Sequence, residues 1–525
     1  MESKRRARPV FKQYSQGQVM LLPPSLDELI PVNHLVRTVN STVESLDIAP
    51  LIDTYIGGGT SSYHPRMLVK VLVYAYLQKI YSSRKIAKAL REDINFMWLS
   101  AMNQPDFRTI NGFRSERLKE VIDKVFGSML TFLVDNKYVK LEDYFVDGTK
   151  MQADSNKHKI TWRKNVERYK AQTQEKIKKL LKHIEQVNED EDKRYGDKDL
   201  EELGEGATVD SEKIKQEVER LNKILKESKP DKTDKEATLK HKEVERTVKQ
   251  IQKKELPKLE KYENQQGILS GRNSFSKTDT DATAHRMKDE TLLPSYNVLA
   301  GSEDQFILNY SIHQNPGDTG LFIEHMKKFI MSGFKPNNAM GDSAFGSEEN
   351  SNFLEENDIE NYLKYNTFHK EMTKGYQDNP FNKENFKYNK DTDAYECPQN
   401  KKLVYKEDKE VNSSNGYLTH SKIYECENCS QCTYAEKCKK GKCNRTVQRN
   451  DKLEFYKQKI RANLNSEKGI ELRKRRSVDI EPVWADIKWN QGYRRFRLRG
   501  LKKVNIEIGL LAIAHNIKKM AEIKS

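Results

Sequence analysis

The sequence predicts an α/β protein: a mixed sheet flanked by helices, with an all-helical N-terminal region, a charged helical arm and a small cysteine-rich insertion. Three observations lead there. Apolar residues in the first 140 positions recur at helical spacing, as in Leu68, Val71, Leu72, Ala75 and Tyr76. Short aromatic and β-branched runs elsewhere end on an acid followed by small residues, as in Tyr144–Lys150, YFVDGTK. A long stretch rich in Lys, Glu, Asp and Gln also occurs, with sparse apolar residues that include heptad stripes.

At 525 residues the chain exceeds one ordinary core, and two to four domains are expected. The expected division is a helical region over 1–140 and a catalytic region over 141–525, interrupted by the arm at 160–265 and the cysteine-rich insertion at 395–445. Lys and Arg number 93 against 78 Asp and Glu, a net charge of +15. That excess suits a polyanion such as nucleic acid, or else a set of merely solvated lysines. The longest apolar stretch, Met67–Leu77, is broken by Lys70 and is too short to span a bilayer. The opening MESKRRARP has no apolar segment after it, so a cytoplasmic location is expected, without membrane association.

In the helical region, Ser82-Ser83 offers an N-cap for a second helix carrying Ile86 and Leu90. Leu68–Gln78 and Ser83–Arg91 read either as a DNA-binding helix-turn-helix, with Arg84 and Lys88 on the second helix, or as plain helical packing. Pro105 interrupts, and Ile110 to Val134 resumes the helical pattern.

The strand Tyr144–Val146 is expected to stop at Gly148, leaving the Asp147 carboxylate at its end; a turn-forming Asp is the competing reading. The arm shows the stripes Ile177, Leu180, Ile184, Val187 and Ile214, Val218, Leu221, Leu225, separated by the loop Asn188–Asp210, with Val244, Val248 and Ile251 beginning a third; a disordered charged linker is the alternative. A hairpin follows at Tyr296–Ala300 and Phe306–Ile312, preceded by Asp279 and Asp281, which read as loop caps or ligands. Gly320–Ser332 is amphipathic. Then a strand ends on Asp342, before a small-residue turn and a helix from about Ser347, and Ile359–Tyr365 forms the next strand.

Cys426, Cys429, Cys432, Cys438 and Cys443 are spaced as metal ligands, any four of which could hold a structural zinc; iron–sulfur ligation and no metal are the alternatives. The C-terminal block carries Arg494, Arg495, Arg497 and Arg499 among Trp489, Tyr493 and Phe496, a mixture suited to DNA phosphates. Glu481 and Lys488, seven apart, share a helical face.

Asp147, Asp342 and a third acid could together bind two Mg²⁺ ions for phosphodiester chemistry. Glu481, Asp486 and Glu507 are the choices for the third. Glu507 stands amid apolar closing-helix residues and Asp486 turns off the Glu481 face, whereas Glu481 has Lys488 beside it. VDGTK around Asp147, GDSAFGSEEN around Asp342, and Glu481-x6-Lys488 resemble the DDE transposases of bacterial insertion sequences. HPRMLVKVLVYAYLQKIYSSRKIAKAL resembles their helical N-terminal domain; YNVLAGSEDQFILNYSIHQNPGDT and RRFRLRGLKKVNIEIGLLAIAHNIKKM also resemble parts of such proteins. The resemblance implies an RNase H-like core that cleaves DNA at terminal inverted repeats with Mg²⁺ and transfers the cut strand. It makes Asp147, Asp342 and Glu481 the catalytic metal-binding acids and Lys488 a DNA contact, in a homodimer or larger assembly on double-stranded DNA, associated with the bacterial nucleoid when active. Relatives carry Tyr and Arg seven and four residues before the Glu; here those places hold Lys474 and Ser477, with Arg476 one step off. A nuclease of the same core that cuts without joining, and a catalytically silent DNA-binding protein, are the competing functions.

Overall fold

The computed structural model describes residues 25–55, 62–195, 210–227, 229–230, 234–413, 415–439 and 441–524. The basic opening segment and most of the loop expected at Asn188–Asp210 lie outside these residues. Five strands organise the fold: β1 (Asp143–Gln152), β2 (Leu292–Glu303), β3 (Phe306–His313), β4 (Asn338–Gly346) and β5 (Glu360–Tyr365). β1, β2 and β3 pair antiparallel in succession, while β4 and β5 join parallel on the other side of β1. The resulting order, 3-2-1-4-5, is that of an RNase H-like sheet, with a short strand, Thr283–Arg286, added beside β2.

The β2–β3 hairpin turns through Asp304 and Gln305, both at positive φ (52° and 67°), which matches the twist of a two-residue hairpin. Both strands extend beyond their expected limits because β2 pairs along nearly its whole length. Gly301 is required there: a Cβ would lie 1.8 Å from Cζ of Tyr144. The entry to β1 is fixed by Glu303, whose carboxylate accepts the backbone N–H groups of Lys140, Leu141, Glu142 and Asp143 at 2.7–3.0 Å.

The helical region contains Leu35–Ser45, Pro65–Leu77, Ser83–Glu92 and Ile122–Asp135, with shorter helices between. Its apolar side chains form one continuous core with the sheet and the closing helix Leu501–Lys524. This helix packs against Pro65–Leu77, Leu35–Ser45 and β3, so the first 140 residues are joined to the sheet through a shared interior. At that junction Glu507, fully buried, accepts the N–H groups of Arg497 (2.8 Å) and Leu498 (3.0 Å). Asp279 and Asp281 are the expected caps: Asp279 accepts from Gly500 N and Tyr296 Oη, and Asp281 from Leu501 N at the start of the closing helix.

The arm is helical: Arg163–Tyr195, Ser211–Glu227, Lys235–Gln250 and Leu256–Leu269. The heptad residues Ile177, Ile184, Ile214, Val218, Leu221, Val244, Val248 and Ile251 form a core of their own. At its root, Ile160–Trp162 pairs antiparallel with Ser274–Ser276, bringing entry and exit together. The cysteine-rich insertion is a five-stranded antiparallel sheet running from Lys387 to Arg449, wider than the expected 395–445. It reaches back to the main sheet where Tyr417 Oη donates to Glu348 (2.9 Å) and Asn415 Nδ2 to the Gly320 carbonyl (3.2 Å).

A protein with residues 171–260 replaced by a short Gly/Ser link keeps the paired root and is expected to melt in one cooperative thermal transition. Aggregation, or loss of the transition in calorimetry, would make the arm integral to the main core.

Candidate active site

Asp147 and Asp342 meet through strand register. Asp143 pairs with Asn338 and Phe145 with Met340 across parallel β1 and β4. Carried two residues further, the same register sets Asp147 beside Asp342. Neither acid ends its strand, contrary to expectation. β1 continues to Gln152 because β2 still pairs with it there, and β4 runs to Gly346, with Ser347 capping the next helix, Glu348–Glu356. Gly148 is a point of close approach: a Cβ there would stand 3.2 Å from the Asp318 carboxylate, which also receives an N–H from Asn297. Asp318 is thus a further acid at the site.

The third acid arrives on the helix Glu467–Ala485, which packs over β1, β2 and β4. Arg475 anchors it to Asp143 (2.6 Å), and Asp479 accepts from Ser302 Oγ (2.6 Å). Arg476 then bridges the site, donating to Asp147 (3.2 Å) and to Glu481 (3.3 Å). The guanidinium that the resemblance places at Ser477 is supplied from Arg476. Past Pro482 the helix widens into a π turn, Asp486–Asn490, so Glu481 and Lys488 are not on one regular helix. Lys488 Nζ nevertheless reaches into the site, donating to Thr149 Oγ1 and to the Lys150 carbonyl. Asp486 faces away, held by His515 and Lys518. Glu507 lies in the shared core.

Burial pushes the Asp147 carboxyl up to about 6; Arg476 opposes this, while Asp342 and Asp318 add to it. Burial pushes Lys488 down to about 8, with Lys288 and Arg494 acting in the same direction and Asp147 against it. Asp147, Asp318, Arg476, Glu481 and Lys488 line a cleft of about 1260 Å³ shared with Arg286, Lys288, Trp489 and Arg494. Trp489 is 67% exposed, with the Arg494 guanidinium 3.7 Å from its ring centre.

The other basic residues divide. Arg495 and Arg499 are both paired with Asp154, at 2.9 and 2.8 Å, so two of the four C-terminal arginines already have an anion. Arg497 lines a second cleft with Arg84, Lys85 and Arg108, beside the helix Ser83–Glu92. Lys88 sits exposed on that helix, 3.5 Å from Glu92.

Asp147 and Asp342 offer only oxygen donors and repel one another, a donor chemistry that fits Mg²⁺. Among the described residues, no three His, Cys, Asp or Glu side chains gather closely enough to hold an ion. At the acids the reason is visible, since Arg476 stands between Asp147 and Glu481. The cysteines likewise form no such group among the described residues. Cys426 and Cys429 are buried in the small core of the insertion, with Cys397 and Cys438 packed against it, while Cys443 is exposed. Burial, then the hydrogen bond with Cys429, pushes the Cys426 thiol up to about 12.

Strand order, an acid pair on adjacent parallel strands and an acid-bearing helix above them define the class of RNase H-like proteins. Residues 396–521 match the family described as transposase DDE domain, and residues 24–116 the family described as transposase domain (DUF772). Both matched families are transposase families, and together they support a DDE transposase of an insertion sequence. The DDE match contains Glu481 and Lys488; Asp147 and Asp342 lie before it. No curated protein and no solved structure matches the chain.

A carboxyl whose folded pKa is raised binds its proton more tightly in the native state, so between about pH 4 and 6 stability falls as pH rises. Asp147→Asn removes this cost and is expected to stabilise the metal-free protein by about 2 kcal/mol at pH 7.5, with the gain vanishing below pH 4. Denaturant titrations across that range measure it; a pH-independent difference would place Asp147 in an ordinary solvated setting.

Proposed function

We propose that this cleft binds the terminal inverted repeats of an insertion sequence, cuts the DNA strand there with Mg²⁺, and transfers the cut strand to target DNA. The observation that carries the reading is the register of Asp147 with Asp342, under a helix that brings Glu481, beside a cleft that also holds Arg286, Lys288, Lys488 and Arg494. Asp147, Asp342 and Glu481 would hold two Mg²⁺ ions, which when bound supply activation of the attacking oxygen and stabilisation of the leaving one. The chain's part is to position the strand. Lys488 and Arg494 face the cleft as phosphate contacts, and Trp489 offers a flat apolar surface for a base or sugar. Arg476 balances the acid charge before metal arrives and is free to turn toward a phosphate afterwards. Double-stranded DNA beyond the cleft has a second basic surface at Arg84, Lys85, Arg108 and Arg497. Joining two transposon ends asks for at least two copies of the chain on the DNA.

With a duplex taken from the DNA flanking this reading frame, the expected outcome is Mg²⁺-dependent cutting at the repeat and joining to a plasmid. Asp147→Asn, Asp342→Asn and Glu481→Gln should each lower the cutting rate at least a hundredfold, roughly the effect of removing one key transition-state contact, with duplex affinity nearly unchanged. Full activity in the Glu481→Gln protein would remove that residue from the catalytic set. Cutting without joining would favour the nuclease reading.

Arg494→Ala should weaken duplex binding and flatten the salt dependence by about one unit of slope. Arg495→Ala and Arg499→Ala, whose partners are already in place, should leave the slope close to its original value. Equal effects at all three would mean that Asp154 releases its arginines when DNA binds.

A further inference from the structure

We infer that Lys364 seats a backbone phosphate of the reacting DNA strand, on the side of the acid pair opposite Lys488. The inference rests on the reading of the cleft given above and adds a residue that no local motif marks.

The first ground is placement. β5 lies beside β4, with Met340 opposite Tyr362 and Gly341 opposite Leu363. Asp342 and Lys364 follow that last regular pair, where the register shifts before resuming at Gly346 and Tyr365. Asp147, Asp342 and Lys364 thus lie on three neighbouring strands, β1, β4 and β5. Asp342 and Glu481 both exert an electrostatic pull on the Lys364 ammonium, which places it near them. Lys488 occupies the other flank, held by Thr149 and Lys150 of β1. Two ammonium groups thus bracket the carboxylates, one at each edge.

The second ground is an excess of unanswered donors on the β5 flank. Lys364 is half-buried in a strand whose neighbours Tyr362, Leu363 and Tyr365 are buried, yet among the described residues it has no ion pair or hydrogen bond of its own. Burial disfavours its charge, and Arg476 and Arg473 lie close enough to add to this. The Nε groups of both arginines are themselves buried without a partner. The Arg473 guanidinium rests against the Phe368 ring, 5.5 Å from its centre, just beyond β5. Arg476 already shares Asp147 and Glu481 and leaves only its Nε unpaired, whereas Lys364 and Arg473 have no ion pair among the described residues; such buried, unpaired donors are costly until an anion enters. A phosphodiester supplies that charge and several acceptor oxygens, and an ammonium on a flexible stem can follow it as the strand moves.

Lys364 as a simple counter-ion for Asp342 and Glu481 makes a different forecast. The probe is the duplex from the flanking DNA, prepared as a set with a single uncharged methylphosphonate at each position around the cut bond. Wild-type protein should bind several of these less well than the unmodified duplex. Lys364→Met is expected to bind the unmodified duplex severalfold more weakly, with a salt slope smaller by about 1. It should also be indifferent to the methylphosphonate at one position to which wild type is sensitive. Lys488→Met should be indifferent at a different position, across the cut bond. Lys364→Arg should recover the affinity and the sensitivity; it also serves where the methionine variant folds poorly. A Lys364→Met protein that feels every methylphosphonate as wild type does, or one indifferent at the same position as Lys488→Met, overturns the inference. Wild-type protein that neither binds nor cuts the duplex overturns the transposase reading itself, a result distinct from loss of the Lys364 effect alone.

Discussion

Two carboxylates set side by side on neighbouring strands repel, and much of this structure can be understood as the means of holding them there. Parallel pairing of β1 with β4 fixes their separation, and antiparallel pairing with β2 keeps β1 straight beyond Asp147. Burial makes the repulsion worse, because the surroundings screen charge less than water does. The counterweight comes from one helix. Successive arginines on it reach two acids of β1, Arg475 to Asp143 and Arg476 to Asp147. The first contact is structural, with Asp143 almost wholly buried. The second spans to a largely exposed Glu481 and is the kind of ion pair that another cation can displace.

A second buried acid does different work. Glu507 lies where the helical region, the closing helix and the Arg497 loop converge, and burial raises its carboxyl above the usual range against the opposing pull of Arg114. Its Oε2 accepts two backbone N–H groups and its Oε1 faces Tyr76 Oη, so it ties the loop to the helical region. That loop carries Arg497 to the same cleft as Arg84 and Arg108, and Arg494 to the cleft of the acids. The two basic surfaces are thereby set by one rigid junction, and their spacing is a property of the core.

The parts legible in the sequence were those with local causes. Heptad stripes gave the arm because its helices bury one another, and the Phe306–Ile312 strand followed from alternating apolar residues before a turn. Asp147 and Asp342 were read as strand ends, the first because Asp-Gly is ordinary turn chemistry, yet both lie within their strands. Gly148 is instead there to admit Asp318, a residue far along the chain. Lys364 and Asp154 carried no local signal, and Arg476 only a position one step off the motif; what each touches depends on which strand or helix lies beside it. The cysteines are spaced along the chain as ligands, and folding places Cys426 and Cys429 in the interior of the insertion while leaving Cys443 exposed.

The paired root of the arm has a consequence for how the chain folds. β1 and β2 are adjacent in the sheet, yet the whole arm intervenes between them in sequence. Closing so long a loop carries an entropic cost and slows the pairing that depends on it. If the arm forms first around its own core, Ile160–Trp162 meets Ser274–Ser276 and the loop left to close becomes a short one. The arm then sets the pace of sheet assembly, and a long insertion that adds nothing to the sheet's contacts governs how quickly those contacts can be made.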